Sequence, residues 1–205
     1  TMDDLVERDG IYYKKFSDVP FSGKITGKKQ GYIKNGKTEG SWVSYWDNGQ
    51  LSHKGYFKDG KAEGLWTEYF KNGQLKESGD FKNSLQTGSW DEYYKNGNLK
   101  SKCNYMKYKK DGICEGYFVT EGLSYKGNYK NDLKDGSWTG YFDNGQLELK
   151  ENYENGKLKE TIVRYDESGN ETLLLTFGED FGLLSDSEVV IRIGGNIIRE
   201  GKLEG

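Results

Sequence analysis

Twelve two-residue turn slots can be marked along the chain, and the spacing between them alternates 13, 11, 13, 11 without a slip. They start at Asn35-Gly36, Asn48-Gly49, Asp59-Gly60, Asn72-Gly73, Asn83-Ser84 and Asn96-Gly97. They continue at Lys107-Tyr108, Thr120-Glu121, Asn131-Asp132, Asn144-Gly145, Asn155-Gly156 and Ser168-Gly169. Asn-Gly and Asp-Gly favour type I′ turns, because both central residues need φ > 0 and the turn twists as the strands do. A turn at every such step dictates strand, turn, strand, turn, so the unit is a 24-residue strand pair. The spacing predicts an all-β fold: an elongated single-layer antiparallel sheet of tandem β-hairpins whose contacts run between neighbours, as in a solenoid.

Composition agrees with a thin sheet. Only 33% of the 205 residues are hydrophobic, yet 15% are aromatic, with 16 Tyr, 9 Phe and 5 Trp. Disordered chains are aromatic-poor, so these rings must pack, in a thin layer instead of a thick aliphatic core. The 29 Gly and single Pro suit strands and turns, since Pro in a central strand removes a ladder hydrogen bond. A net charge of −3 gives no electrostatic drive toward phosphate backbones, so no nucleic-acid partner is expected. No apolar run approaches the roughly 18–20 residues of a membrane span, so no transmembrane segment is expected. No signal peptide is legible, although a leader removed ahead of Thr1 fits the same sequence.

At 24-residue intervals the chain reads Trp42, Trp66, Trp90, Cys114, Trp138, and two residues earlier Gly40, Gly64, Gly88, Gly112, Gly136. If Asn48-Gly49 closes a two-residue loop, Trp46 faces Leu51, Trp42 faces Gly55 and Gly40 faces Phe57. Around Asp59-Gly60, Gly55 then faces Gly64, His53 faces Trp66 and Phe57 faces Ala62. Each Trp lies over a glycine floor, which explains Gly inside strands it would otherwise weaken. The resulting strip of Trp42, Trp46, Trp66, Phe70, Trp90, Tyr94, Trp138 and Phe142 is longer than the chain ends can cover. It is the candidate interaction surface. Period-two alternation puts Tyr45, Tyr69, Tyr93, Tyr117 and Tyr141 on the other side, about 9.5 Å apart, as a candidate second face. Its rings either rest on lysine stems such as Lys54 and Lys102 or meet a ligand.

The fourth repeat breaks the pattern. Lys107-Tyr108 and Thr120-Glu121 lack the turn glycine, which predicts bulges or longer loops there. Cys103 replaces a floor glycine and Cys114 replaces a Trp, placing them diagonally on adjacent strands near the upper limit of disulfide reach. In an exported protein they form a disulfide, and in the cytosol they remain two small buried thiols. The sequence leans toward export. From Ile162 composition turns aliphatic, and Ile162–Tyr165, Thr172–Phe177 and Val189–Ile193 read as strands, with Gly194-Gly195-Asn196 as a turn before Ile197-Ile198. The expected organisation is an opening hairpin over residues 1–30, a repeat array over 31–160 and a C-terminal β-hairpin cap over 161–205.

Catalytic chemistry finds no foothold. The single histidine, His53, supports neither a metal cluster nor a triad, and the glycines belong to turns and floors instead of a phosphate loop. Acidic residues such as Glu63 and Asp135 vary between copies and read as solvated surface. No catalytic residue, metal or cofactor is expected, and the chain reads as a non-enzyme.

The run Gly40-Ser41-Trp42-Val43-Ser44-Tyr45-Trp46-Asp47-Asn48-Gly49-Gln50-Leu51, followed by Lys54-Gly55-Tyr56-Phe57-Lys58-Asp59-Gly60-Lys61, resembles the bacterial variant of the MORN repeat. The opening Val6-Glu7-Arg8-Asp9-Gly10-Ile11-Tyr12-Tyr13 with Val19-Pro20-Phe21-Ser22-Gly23 is similar to the start of the YwqK-family antitoxin-labelled proteins. The resemblance covers residues 6 to 170. It implies a hairpin array acting as a scaffold or interaction surface, with lipid binding or an antitoxin role as lesser implications. The expected function is a non-catalytic scaffold that binds a protein partner or its own copy through the aromatic strip. The alternative is a cell-envelope carbohydrate-binding module, because flat aromatic faces suit sugar rings.

Overall fold

Two turn geometries, not one, generate the alternating spacing in the computed structural model, which describes residues 1–159, 161–177, 188–193 and 196–202. Residues 161–162 and those from 173 onward are described by backbone alone. At the odd slots both central residues have positive φ, as at Asn35 (47°) and Gly36 (78°) or Asp59 (51°) and Gly60 (83°), so these are two-residue type I′ turns. At the even slots only the second residue does, as at Gly49 (82°). There the Trp46 N–H donates to the Gln50 carbonyl (2.8 Å) and the Gly49 N–H to the Trp46 carbonyl (2.9 Å). That is a three-residue loop with a left-handed third residue. The expected pairing of Trp46 with Leu51 is therefore corrected: a register shift after Ser44 sets Tyr45 opposite Leu51.

The fourth repeat keeps both geometries, which corrects the expectation of longer loops. Lys107 (51°) and Tyr108 (68°) adopt the type I′ angles, and Glu121 (83°) takes the left-handed position without glycine. The Phe118 N–H donates to the Gly122 carbonyl (2.7 Å), as Trp46 does to Gln50. Neighbouring strands impose the geometry even where the local residues do not favour it.

After a short 3-10 turn at Met2–Asp4, β1 (Leu5–Arg8) and β2 (Ile11–Lys14) form a hairpin. There follow β3 (Gly23–Ile25), β4 (Lys29–Lys34), β5 (Lys37–Tyr45), β6 (Leu51–Lys58), β7 (Lys61–Tyr69), β8 (Leu75–Lys82), β9 (Leu85–Tyr93) and β10 (Leu99–Met106). Then come β11 (Lys109–Tyr117), β12 (Leu123–Lys130), β13 (Leu133–Lys134), β14 (Gly136–Tyr141), β15 (Leu147–Glu154) and β16 (Lys157–Leu158). The last are β17 (Thr161–Tyr165), β18 (Glu171–Phe177), β19 (Glu188–Ile193) and β20 (Asn196–Lys202). The fold is an antiparallel sheet of tandem hairpins: strands pair with their neighbours from β3 to β9 and from β11 to β20. Gly194 and Gly195 of the expected last turn lie outside the described residues. The chain divides into two compact units within β10. The first holds residues 1–99 and 105–108, the second 100–104 and 109–205.

The glycine two residues before each Trp has a second reason to be glycine. Gly40, Gly64, Gly88, Gly112 and Gly136 have φ between 67° and 108°, and Gly40, Gly64, Gly88 and Gly136 sit where the ladder bulges. Across β6 and β7 the pairing runs Phe57 with Ala62 and Tyr56 with Glu63, then jumps to Lys54 with Thr67 and His53 with Glu68. The expected pairs Gly55–Gly64 and His53–Trp66 are corrected accordingly. The bulge slides Trp66 over Gly55, where a Cβ would come within 2.1 Å of the indole. Trp42 covers Gly31 (2.3 Å), Trp90 covers Gly79 (2.3 Å) and Trp138 covers Gly127 (2.1 Å) in the same way. The floor thus belongs to the preceding strand, for Trp42 to Gly31 and not to Gly55.

In the first unit Ile25, Ile33 and Trp42 form a buried cluster flanked by Met2, Leu5, Tyr12, Phe21 and Phe57. The N-terminal hairpin is tied down by hydrogen bonds from the Tyr12 N–H to the Gly36 carbonyl (2.8 Å) and from the Phe21 N–H to the Tyr12 carbonyl (2.8 Å). From Trp42 an edge-to-face series runs through Phe57, Trp66, Phe81 and Trp90 to Tyr105, with ring centroids 5.1 to 6.4 Å apart. Such pairs add about 0.5–1.5 kcal/mol each beyond area burial. In the second unit Tyr129 meets Trp138 edge-on at 4.9 Å, and Cys103 is joined to Cys114 with their Cα atoms 4.0 Å apart.

Candidate functional site

The structure buries much of the expected aromatic strip. Trp42, Trp90 and Trp138 are 6%, 4% and 6% exposed, and Trp66 is half-buried. The indole N–H groups of Trp42, Trp90 and Trp138 donate to the carbonyls of Tyr32 (3.2 Å), Asp80 (3.2 Å) and Asn128 (3.0 Å). These rings are core, so the expected exposed strip is corrected: the glycine floors and edge-on Phe and Tyr rings consume it. Trp46, Phe70, Tyr94 and Phe142, the other half of the expected strip, are half-buried at the even turns. Trp46 donates there to the Tyr69 carbonyl (3.1 Å).

Turns of one repeat are stitched to turns of the next by side chains whose role the sequence reading missed. Asn48, Asn72 and Asn144 donate their amide N–H to the carbonyls of Lys71 (2.7 Å), Lys95 (3.0 Å) and Glu167 (3.3 Å). Their amide oxygens accept from the backbone N–H two residues on, at Gln50, Gln74 and Gln146. On the other edge, Glu39, Glu63, Asp111 and Asp135 accept from the N–H of Asp59, Asn83, Asn131 and Asn155. Glu63 and Asp135 are thus turn caps and not bare solvated surface. Their constant 20-residue offset from the next turn was the signal in the sequence.

Two residues beyond the Trp positions, the units diverge. In the first unit cross-strand pairing aligns His53, Glu68, Glu77 and Glu92 in one row. His53 stacks on Trp66 at 5.2 Å, and burial lowers its pKa against the opposing pull of Glu68. Burial, a hydrogen bond with Glu68 and repulsion from the Glu68 and Glu92 charges push Glu77 up to about 7. Burial opposes ionisation of Glu68 as well. The hydrogen bonds from Lys76 (2.8 Å) and Glu77 outweigh it, so the Glu68 carboxyl stays below its ordinary value. In the second unit the same row reads Gly116, Tyr125, Gly140, Leu149. Tyr125 covers Gly116 and stacks on Trp138 at 5.8 Å.

The opposite face holds the tyrosine column. Tyr45, Tyr69, Tyr93, Tyr117 and Tyr141 are all half-buried, with Ser52 and Thr67 of the same face buried at 7% and 8% exposure. Pairing of Tyr56 with Ser41 and of Leu65 with Asp80 puts both side chains on this face, opposite Trp42 and Trp66. Leu65 is 62% exposed, and Tyr56 and Tyr32 are about half exposed. Among the described residues no group of three or more His, Cys, Asp or Glu could hold a metal, and no helix is long and apolar enough to cross a membrane.

No curated protein is significantly similar to the chain. Residues 38–59, 62–83, 86–107, 134–155 and 148–167 match the MORN repeat variant. The gap in those matches, residues 108–133, holds Cys114, Tyr125 and the turn at Glu121. With their glycine-floored tryptophans and 24-residue hairpin spacing, these five segments match MORN repeats of the variant type.

Proposed function

We propose that the protein is a non-catalytic scaffold that holds a protein partner against the tyrosine face of its first unit. The observation that carries this reading is the exposure of Leu65 (62%) beside Tyr56 (45%) on a face whose repeated Tyr45, Tyr69 and Tyr93 stay half-buried. Tyr side chains offer large, rigid, amphipathic contact area, and aromatic residues are enriched at interfaces. An apolar residue left open among them supplies the anchor that interface centres require. MORN repeats are generally repeat scaffolds that mediate protein or membrane interaction, which supports the class. Turns stitched by Asn48 and Asn72 hold the strands in fixed register and so pre-organise the face.

The experiment compares the full chain with a Tyr56→Ser/Leu65→Lys variant in quantitative affinity capture, alongside light scattering over a concentration series. Both substitutions lie away from the Trp core, so circular dichroism should match. The expected result is loss of the captured partner, or of the self-associated form, in the variant alone. Equal capture and equal mass for both proteins would overturn the reading.

A further inference from the structure

We infer that the second unit carries a saccharide site, a hollow over Gly140 walled by Tyr125, Trp138 and Leu149 that accepts one pyranose ring. The hollow measures about 380 Å³, within the roughly 300–1,000 Å³ range of small-molecule sites. It exists because a side chain is missing where the backbone does not demand glycine. Gly140 is not among the glycines of positive φ. A Cβ built on it would meet Leu149 Cβ at 3.4 Å and nothing closer. Gly127, one row away, is different in kind, since its Cβ would strike the Trp138 indole at 2.1 Å. Packing explains Gly127 and leaves Gly140 unexplained.

The chemistry of the walls selects the ligand. Pairing brings Tyr125 and Leu149 to the two sides of Gly140, with Trp138 and Glu151 paired on the next row. Tyr125 stands nearly parallel to Trp138, at 22°, and Tyr129 is edge-on to it at 83°. Aromatic faces carry partial negative charge and attract the polarised C–H faces of a sugar ring. Polar groups of both signs sit at one rim. The Lys134 ammonium lies 4.3 Å from the Trp138 ring centre, 4.6 Å from that of Tyr153 and 3.9 Å from the Glu151 carboxylate. The Tyr153 hydroxyl donates to Glu151 at 2.8 Å, and burial together with that bond pushes its pKa up to about 12. The rim therefore offers ammonium donors and a carboxylate acceptor that are already oriented, matching hydroxyls that donate and accept at once.

Other ligand classes fit less well. An acyl chain would cover Lys134 and Glu151 with hydrocarbon and leave them without water. A phosphate would face the Glu151 charge. A pyranose presents an apolar face to Tyr125 and Leu149 and an equatorial hydroxyl edge to Lys134 and Glu151.

The test titrates the full chain with maltose, cellobiose, lactose and N,N′-diacetylchitobiose into the millimolar range, following the five tryptophan indole N–H resonances by NMR. The Trp138 signal is assigned with Trp138→Phe. One of these disaccharides is expected to shift the Trp138 resonance saturably. Gly140→Val, which fills the hollow, should weaken that binding at least about tenfold, and Tyr125→Leu should do the same from the opposite wall. Gly140→Ala, which the 3.4 Å clearance accommodates, keeps the test valid if the valine variant fails to fold. The inference is overturned if none of the four sugars moves the Trp138 resonance, or if neither Gly140 variant changes the affinity of one that does. Gly140→Val leaves Tyr56 and Leu65 untouched, so partner capture by the first unit reads out separately.

Discussion

The row beside the tryptophans separates the two units more sharply than any other feature. In the first unit it is His53, Glu68, Glu77 and Glu92, three carboxyls in cross-strand register against an aromatic series. Like charges directly opposite on a sheet are destabilising, so this row needs Lys76 and a retained proton on Glu77. In the second unit the equivalent row is Gly116, Tyr125, Gly140 and Leu149, uncharged and part-hollow. The Trp-over-Gly brace below it is the same in both. A repeat of this kind separates what holds the strands from what they display: the brace repeats, and the adjacent row is free to vary. The comparison breaks if disturbing the brace costs little, or if the two rows respond alike to pH.

The largest expected effect is on the brace. Trp90 is 4% exposed and contacts Phe81 and Tyr105 edge-on, so Trp90→Ala should destabilise the protein by about 3–5 kcal/mol. Gly79→Ala attacks the same contact from beneath, because the added methyl would lie 2.3 Å from the indole. Overpacking of that kind costs about 1–3 kcal/mol. Chemical denaturation of both variants checks the pair, and unchanged midpoints would remove the brace from the argument.

A smaller effect is expected where the brace is exchanged for sulfur. Cys103 and Cys114 occupy the Gly and Trp positions of the fourth repeat, 11 residues apart in sequence. Closing a loop of that size contributes about 2–3 kcal/mol. Reduction should lower the denaturation midpoint accordingly, and thiol titration of unreduced, denatured protein should find none free. The double variant Cys103→Gly/Cys114→Trp sharpens the point. If bridge and brace are equivalent, it should regain the oxidised protein's stability and lose all sensitivity to reductant.

The hairpin array was legible because Asn-Gly and Asp-Gly recur at fixed offsets and the aromatic columns recur with them. Three things were hidden. Asn-Gly is compatible with two loop geometries, so the even turns looked like the odd ones until Gln50 was seen accepting the Trp46 N–H. The bulge at Gly40 and its equivalents was masked by a second plausible reason for glycine, and missing it put the floor on the strand after the Trp instead of the strand before it. Burial of the tryptophans was hidden because covering them falls to Phe57, Phe81 and Tyr105, which the pattern showed only as a separate column. Leu65 and Gly140 carry a weak repeat signal, since their columns are mixed: Ser41, Leu65, Ser89, Ile113, Ser137 and Ser44, Glu68, Glu92, Gly116, Gly140.

The acidic row should make the first unit respond to pH where the second does not. Glu77 is raised from 4.5 to about 7 in the folded protein, by burial first and then by Glu68. A raised carboxyl binds its proton more tightly when folded, so its contribution is complete below about 4.5. It is lost as pH climbs to about 7 and is flat above that. Glu77→Gln should therefore be more stable than the parent at pH 8, with the gap closing toward pH 4. Half-exposure of the site makes this effect smaller than that of the bridge. Amide hydrogen exchange followed against pH should show the change in β7, β8 and β9 and not in β14 and β15. Equal responses in both regions would erase the distinction between the rows.

The smallest effect concerns the turn that keeps its geometry without its glycine. Glu121 sits at φ 83°, where its equivalents Gly49, Gly73, Gly97, Gly145 and Gly169 have φ between 82° and 95°. A side chain in the left-handed region costs roughly 1–2 kcal/mol, and glycine there pays part of that back in chain entropy. Glu121→Gly should thus stabilise the second unit by somewhat under about 1 kcal/mol. The reverse change, Gly97→Glu in the first unit, should cost more, because its Cβ would also lie 3.1 Å from the Gln74 side-chain oxygen. At Glu121 the strain is offset in part by the neighbouring Thr120 hydroxyl, which donates to the Asp143 carboxylate of the next turn. Combining Glu121→Gly with Thr120→Ala measures that offset. If the hydroxyl holds the strained turn, the double variant should lose most of the gain of Glu121→Gly alone, and full retention would place the restraint in the strands instead.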